Sequence, residues 1–94
     1  VGLDLSGGQL RHAVGRLPVV RADAAFLPIA DGAVPAVDCV LAHTDLPDYA
    51  AVLREVARVE GYERKDYETA SDADLARGVI HAWTDHCRDL GMNV

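Results

Sequence analysis

Three polar side chains stand where short apolar runs end. Asp4 follows residues 1–3, Asp23 follows residues 19–22 and His43 follows residues 37–42. In a sheet of parallel strands a ligand lies beyond the carboxyl ends of the strands. An acid there is placed to accept hydrogen bonds from hydroxyl or amino donors. The same carboxylate can instead cap the turn that follows it, and residue type alone does not separate the two uses. An imidazole after the third run is a candidate base, because its proton exchanges near neutral pH. A strand-end histidine can equally do no more than hydrogen-bond its loop.

Other groupings carry less. His81, His86 and Cys87 are metal-ligating types, but residues five apart on a helix point about 140° away from each other. Helical zinc pairs are four apart, so no metal site is expected. Asp4, Ser6 and His12 include the residue types of a catalytic triad. They are too close in sequence to converge, and no strand–turn–helix elbow presents the serine. The acids between 60 and 74 read as a solvated segment.

These positions depend on the elements around them. Residues 1–4 read as a short buried strand, and Ser6 can cap a helix over 7–16 with Leu10, Ala13 and Val14 on one face. Pro18 stops that helix, and 19–22 form a second strand. Residues 23–35 are a loop with a turn at Asp31-Gly32. The nearly continuous apolar run at 37–42 fits a third strand covered on both faces. Asp45 or Asp48 can cap the next helix, which runs to Val59 and lines up Tyr49, Val52, Leu53 and Val56. Alternation of strands and helices implies a parallel sheet with right-handed crossovers.

The character changes at Glu60. All four prolines lie before it, and residues 60–94 carry eight acids against four bases. Residues 61–70 read as polar and irregular. Ser71-x-x-Asp74 resembles a capping box and opens a helix to about Leu90, with Gly91 as its stop. Its stripe of Leu75, Val79, Ile80, Trp83, Cys87 and Leu90 is expected to pack onto the core, the alternative being a partner-binding face.

At 94 residues the chain allows one small domain with a thin core. Nine basic residues against fifteen acidic ones argue against nucleic acid and against an anionic membrane surface. No apolar stretch approaches the ~20 residues that span a bilayer. Cys39 and Cys87 lie within apolar or helical patterns and no leader-like segment is evident. Two reduced thiols and a cytoplasmic location are therefore expected.

Residues 1–59 carry three blocks that belong together: VGLDLSGGQL, then VVRADAAFLPIADG, then LREVARV. In combination they resemble the middle of a class I S-adenosylmethionine-dependent methyltransferase of the small-molecule type. The resemblance implies a Rossmann-like α/β fold with about three parallel strands and two or three covering helices. It implies that Asp4, with Leu5 beside it, accepts the ribose hydroxyls of S-adenosylmethionine. It implies that Asp23 accepts the adenine amino group and that the Ala24 N–H serves the ring nitrogen. It places His43 at the border between methyl donor and a small-molecule methyl acceptor.

Two departures from the family stand out. The G-x-G-x-G loop that approaches the methionine end of the cofactor should precede the acid-ended strand by roughly 20 residues. Here the chain starts on that strand, and Gly7-Gly8 follows Asp4 instead. After Val59 the family's next turn and strand are replaced by residues 60–70, a polar stretch, and a helix without counterpart. The expectation is therefore a partial methyltransferase-like core over 1–59, followed over 60–94 by a divergent linker and helix. The competing expectation is a non-catalytic domain acting by partner binding or by self-association through an open sheet edge.

Overall fold

The computed structural model describes residues 1–38 and 46–92 of the chain. Strand β1 (Gly2–Asp4) pairs in parallel with β2 (Val19–Arg21), with Leu3 opposite Val20 and Asp4 opposite Arg21. The ladder opens with the Gly2 N–H donating to Pro18 O at 2.9 Å and closes with the Ala22 N–H donating to Asp4 O at 3.0 Å. Parallel pairing needs a long crossover, and α1 (Gly7–Leu10) lies within it. Ser6 caps α1 as expected, its Oγ accepting the Gln9 N–H at 3.2 Å.

The helix expected over 7–16 is regular only to Leu10. Beyond it, the N–H groups of His12, Ala13 and Arg16 each donate to the carbonyl three residues back, a sequence of tight turns. Gly7 and Gly8 at its start and Gly15 at its end hold too little helix propensity to sustain a longer run. Among the described residues the sheet has two strands. Val37 and Asp38, the start of the expected third strand, are irregular, and residues 39–42 lie outside the described residues.

The core belongs to the helices. Asp48 caps α2 (Tyr49–Val59), its Oδ1 accepting the Ala51 N–H at 3.1 Å. Helix α2 buries Val52, Leu53, Val56, Ala57 and Val59. Leu53 and Ala57 cluster with Leu75 of α4 (Asp72–Asp89), and Tyr49, Tyr67, Ala70 and Val79 pack around them. Ser71 caps α4 as expected, accepting the Asp74 N–H at 3.2 Å. Residues 64–67, expected to be irregular, form one turn of helix, α3 (Arg64–Tyr67).

The apolar stripe of α4 is only partly used. Leu75 and Cys87 are buried, but Ile80 is 62% exposed and Leu90 65%. Eighteen residues of helix outrun the eleven of α2 that they cover, so the stripe is left open where no partner lies beneath it. Helix α2 ends through Gly61 at φ +96°, with the Tyr62 N–H reaching back to Ala57 O at 3.0 Å. This is a left-handed helix stop, a conformation glycine adopts without steric cost. It turns the chain so that Glu60 and Tyr62 face α4 across a cleft.

Candidate functional site

The two acids expected to meet a ligand end adjacent parallel strands. Asp4 closes β1, and Asp23 lies two residues beyond the end of β2. Each uses one carboxylate oxygen on its own turn. Asp4 Oδ1 accepts the Ser6 N–H at 2.9 Å, and Asp23 Oδ1 accepts the Ala25 N–H at 2.9 Å. Local capping is therefore present at both positions, and it occupies one oxygen of each. The second oxygen of each carboxylate has no hydrogen-bond partner among the described residues. It remains an acceptor for a hydroxyl or amino donor.

The turn after Asp23 adds a donor. The Ala25 N–H is taken by Asp23 Oδ1, and the Phe26 N–H donates to Asp23 O at 2.9 Å. The Ala24 N–H, which precedes both, is without a partner among the described residues. Adjacent residues of the turn thus carry a carboxylate acceptor and an amide donor, the group types that complement an edge such as that of adenine. Leu5 and Phe26 are exposed beside these groups, Phe26 at 79%. Arg21 Nε donates to Leu5 O at 2.7 Å and steadies the exit from β1. His43, together with Thr44 and Asp45, lies outside the described residues.

The loop that continues from this turn is fastened to α2. Arg58 Nη2 donates to Leu27 O at 3.1 Å and Nη1 to Ile29 O at 2.8 Å. The same guanidinium pairs with Glu55 at 2.8 Å and with Asp31 at 2.6 Å. Glu55 Oε2 in turn accepts the Leu27 N–H at 2.8 Å. Arg58 pulls the Glu55 carboxyl below its ordinary range, against the opposing effect of burial. Main-chain bonds complete the attachment, Gly32 N–H to Arg58 O at 3.0 Å and Val34 N–H to Val59 O at 3.1 Å. The apolar spacing of α2 reads as core packing and does not announce this attachment. Its Glu55–Arg58 spacing is visible in the sequence, but the carbonyls that Arg58 serves lie some thirty residues earlier.

A depression of about 300 Å³ opens between the end of α2 and the far half of α4. Glu60, Tyr62, His81, Asp85 and His86 are among its walls. Glu60 was expected to be solvated with the other acids of 60–74, and the structure corrects this. Its Oε2 accepts the Val37 N–H at 3.2 Å, while Oε1 is buried without a partner among the described residues. Burial pushes its pKa up to about 7, moderated by the Val37 bond. The Trp83 and His86 rings lie 6.1 Å apart and tilted. Among the described residues no three of His, Cys, Asp or Glu are grouped to hold a metal ion. Cys87 is a buried free thiol, and Cys39 lies outside the described residues. Among the described residues no helix is long and apolar enough to cross a membrane.

Comparison of the chain with protein-family models, with curated proteins and with solved structures found no match.

Proposed function

We propose that the strand ends carrying Asp4 and Asp23 hold the adenosine part of S-adenosylmethionine, in a methyltransferase-like α/β domain that serves a small-molecule acceptor. The observation that carries this reading is that Asp23 and Ala24, adjacent on the turn after β2, keep a carboxylate oxygen and an N–H without partners among the described residues. Adenine presents an amino donor next to a ring-nitrogen acceptor, so the group types are complementary. Asp4, one strand away, supplies an acceptor for the ribose hydroxyls, and a carboxylate suits a diol because both hydroxyls can donate to it. The residues present therefore fit the adenosine half of the cofactor. When bound, S-adenosylmethionine supplies an electrophilic methyl group, and the chain's part is to orient it.

Calorimetric titration of the chain with S-adenosylhomocysteine tests the ribose contact. Saturable binding is expected, weakened about tenfold in Asp4→Ala, the usual worth of a hydrogen bond to a charged group. Equal affinity in Asp4→Ala would remove Asp4 from the site.

A second reading, association between copies of the chain, is favoured by the sheet, two-stranded among the described residues, with Val1, Leu5 and Val20 exposed around it. Short parallel strands with free edges invite pairing with another chain. Sedimentation equilibrium decides it. A concentration-dependent dimer abolished by Val20→Lys supports the reading, and a monomer at high concentration contradicts it.

A further inference from the structure

We infer that Arg58, backed by Glu55, is a positioning residue for the adenine-facing turn, so that helix α2 sets base selectivity without touching the base. The inference rests on the adenosine reading above. The turn of residues 23–26 has its own two hydrogen bonds, both anchored on Asp23. Among the described residues no hydrogen bond from another element reaches this turn between its ends, where Phe26 is exposed. At its start it continues from β2. At its end stands Leu27, whose two backbone groups are both taken by the α2 pair. The Leu27 N–H donates to Glu55 Oε2, and Leu27 O accepts from Arg58 Nη2. The same guanidinium holds Ile29 O and Asp31, so one side chain fixes three successive points of the loop.

Arginine is suited to this task. Its planar fork carries five donors in fixed directions, and here all three nitrogens are engaged. Lysine keeps the charge but cannot span two carbonyls and a carboxylate at once. The carboxylate of Glu55 is placed between Arg58 and the Leu27 N–H, so it transmits the orientation of α2 to the turn. Holding Leu27 limits the freedom of the turn, and with it the relation between the Ala24 N–H and the Asp23 carboxylate. Selectivity between bases depends on that relation, because each group left unpaired against a wrong edge costs binding.

Adenosine and inosine separate this role from general support of the fold. Inosine presents an acceptor where adenine has its amino group and a donor where adenine has its ring acceptor. Both features oppose the Asp23–Ala24 edge. The wild-type chain, titrated by NMR, is expected to prefer adenosine by about tenfold or more. In Arg58→Lys the preference is expected to fall to within about twofold, with helix content unchanged and faster exchange of the Leu27 amide. Asp31→Ala, which removes only the exposed partner, is expected to retain the preference. Should Arg58→Lys fail to fold, Glu55→Gln takes its place, with the same expected loss of selectivity. A folded Arg58→Lys with a loosened Leu27 amide and an intact preference would overturn the inference and leave the adenosine reading standing. A wild-type chain that binds neither nucleoside, or binds both alike, would overturn the adenosine reading and the inference with it.

Discussion

Leu53→Ala is expected to cost about 3 kcal/mol, the middle of the range for emptying a leucine site in a close-packed core. The thermal midpoint should fall by roughly 12–24 °C for a domain of this size. Leu53 is 2% exposed and sits where α2 meets Leu75 of α4. Its neighbours are tied down on both sides. Loop 27–34 is fastened over the end of α2, and Ser71 starts α4 at a fixed point. The site therefore has little freedom to collapse around the missing side chain, and the cavity term is retained. Small domains hold only a few kcal/mol in total, so the loss approaches the margin of folding. Ile80→Ala on the open side of α4 is the contrast, expected within about 0.5 kcal/mol of wild type. Urea unfolding of the two variants checks both numbers. A Leu53→Ala cost below about 1 kcal/mol would show that the helices do not share one core.

The second large effect is on pH dependence. The pKa of Glu60 is raised to about 7 in the folded chain, from an ordinary value of 4.5. Between those values the folded state holds a proton that the unfolded state has released. Stability therefore falls as pH rises from about 4.5 to 7, and the loss is complete above the folded pKa. Glu60 is only half-buried, so solvent screening reduces the effect to about 1 kcal/mol. Among the described residues, the groups around it are Tyr62, His81, Asp85, His86 and Asp89 on the cleft side, and Asp66, Tyr67 and Asp74 on the other. None is a lysine or arginine. Glu55 and Asp74 act in the opposite sense. Their pKa values are lowered chiefly by Arg58 and Arg77, so the stability they add is lost as acid protonates them. Glu60→Gln should flatten the fall between pH 5 and 8 and make the chain more stable than wild type at pH 8. Because both chains share the same histidines, the difference between them isolates Glu60. Parallel curves would contradict the account.

Much of this architecture is legible in local patterns. Ser6, Asp48 and Ser71 each read as a helix cap and each performs that function, because capping is decided within three residues. Helices α2 and α4 follow their apolar spacing to within a residue or so. Misreadings arise where distant segments decide. Loop 27–34 is shaped by an arginine some thirty residues later, and nothing near Leu27 or Ile29 announces it. Glu60 reads as one acid in an acidic stretch, yet the helix stop at Gly61 turns it inward against Val37. The α4 stripe looks uniform from Leu75 to Leu90, but burial requires a partner, and α2 is shorter than α4. At the candidate site, Asp4 and Asp23 were visible as strand-end acids. The Ala24 N–H was singled out by the family resemblance, but that the turn leaves it without a partner among the described residues emerges only from the fold.

That N–H is also the most direct probe of the account. In an NMR titration with S-adenosylhomocysteine, the amide resonances of Asp23 and Ala24 should move together, saturably, toward a shift typical of a hydrogen-bonded N–H. The Ser6 amide on Asp4 should respond in the same titration. Saturable shifts confined to α4 and the Glu60 cleft, or no shifts at millimolar ligand, would contradict the claim that the strand ends hold adenosine.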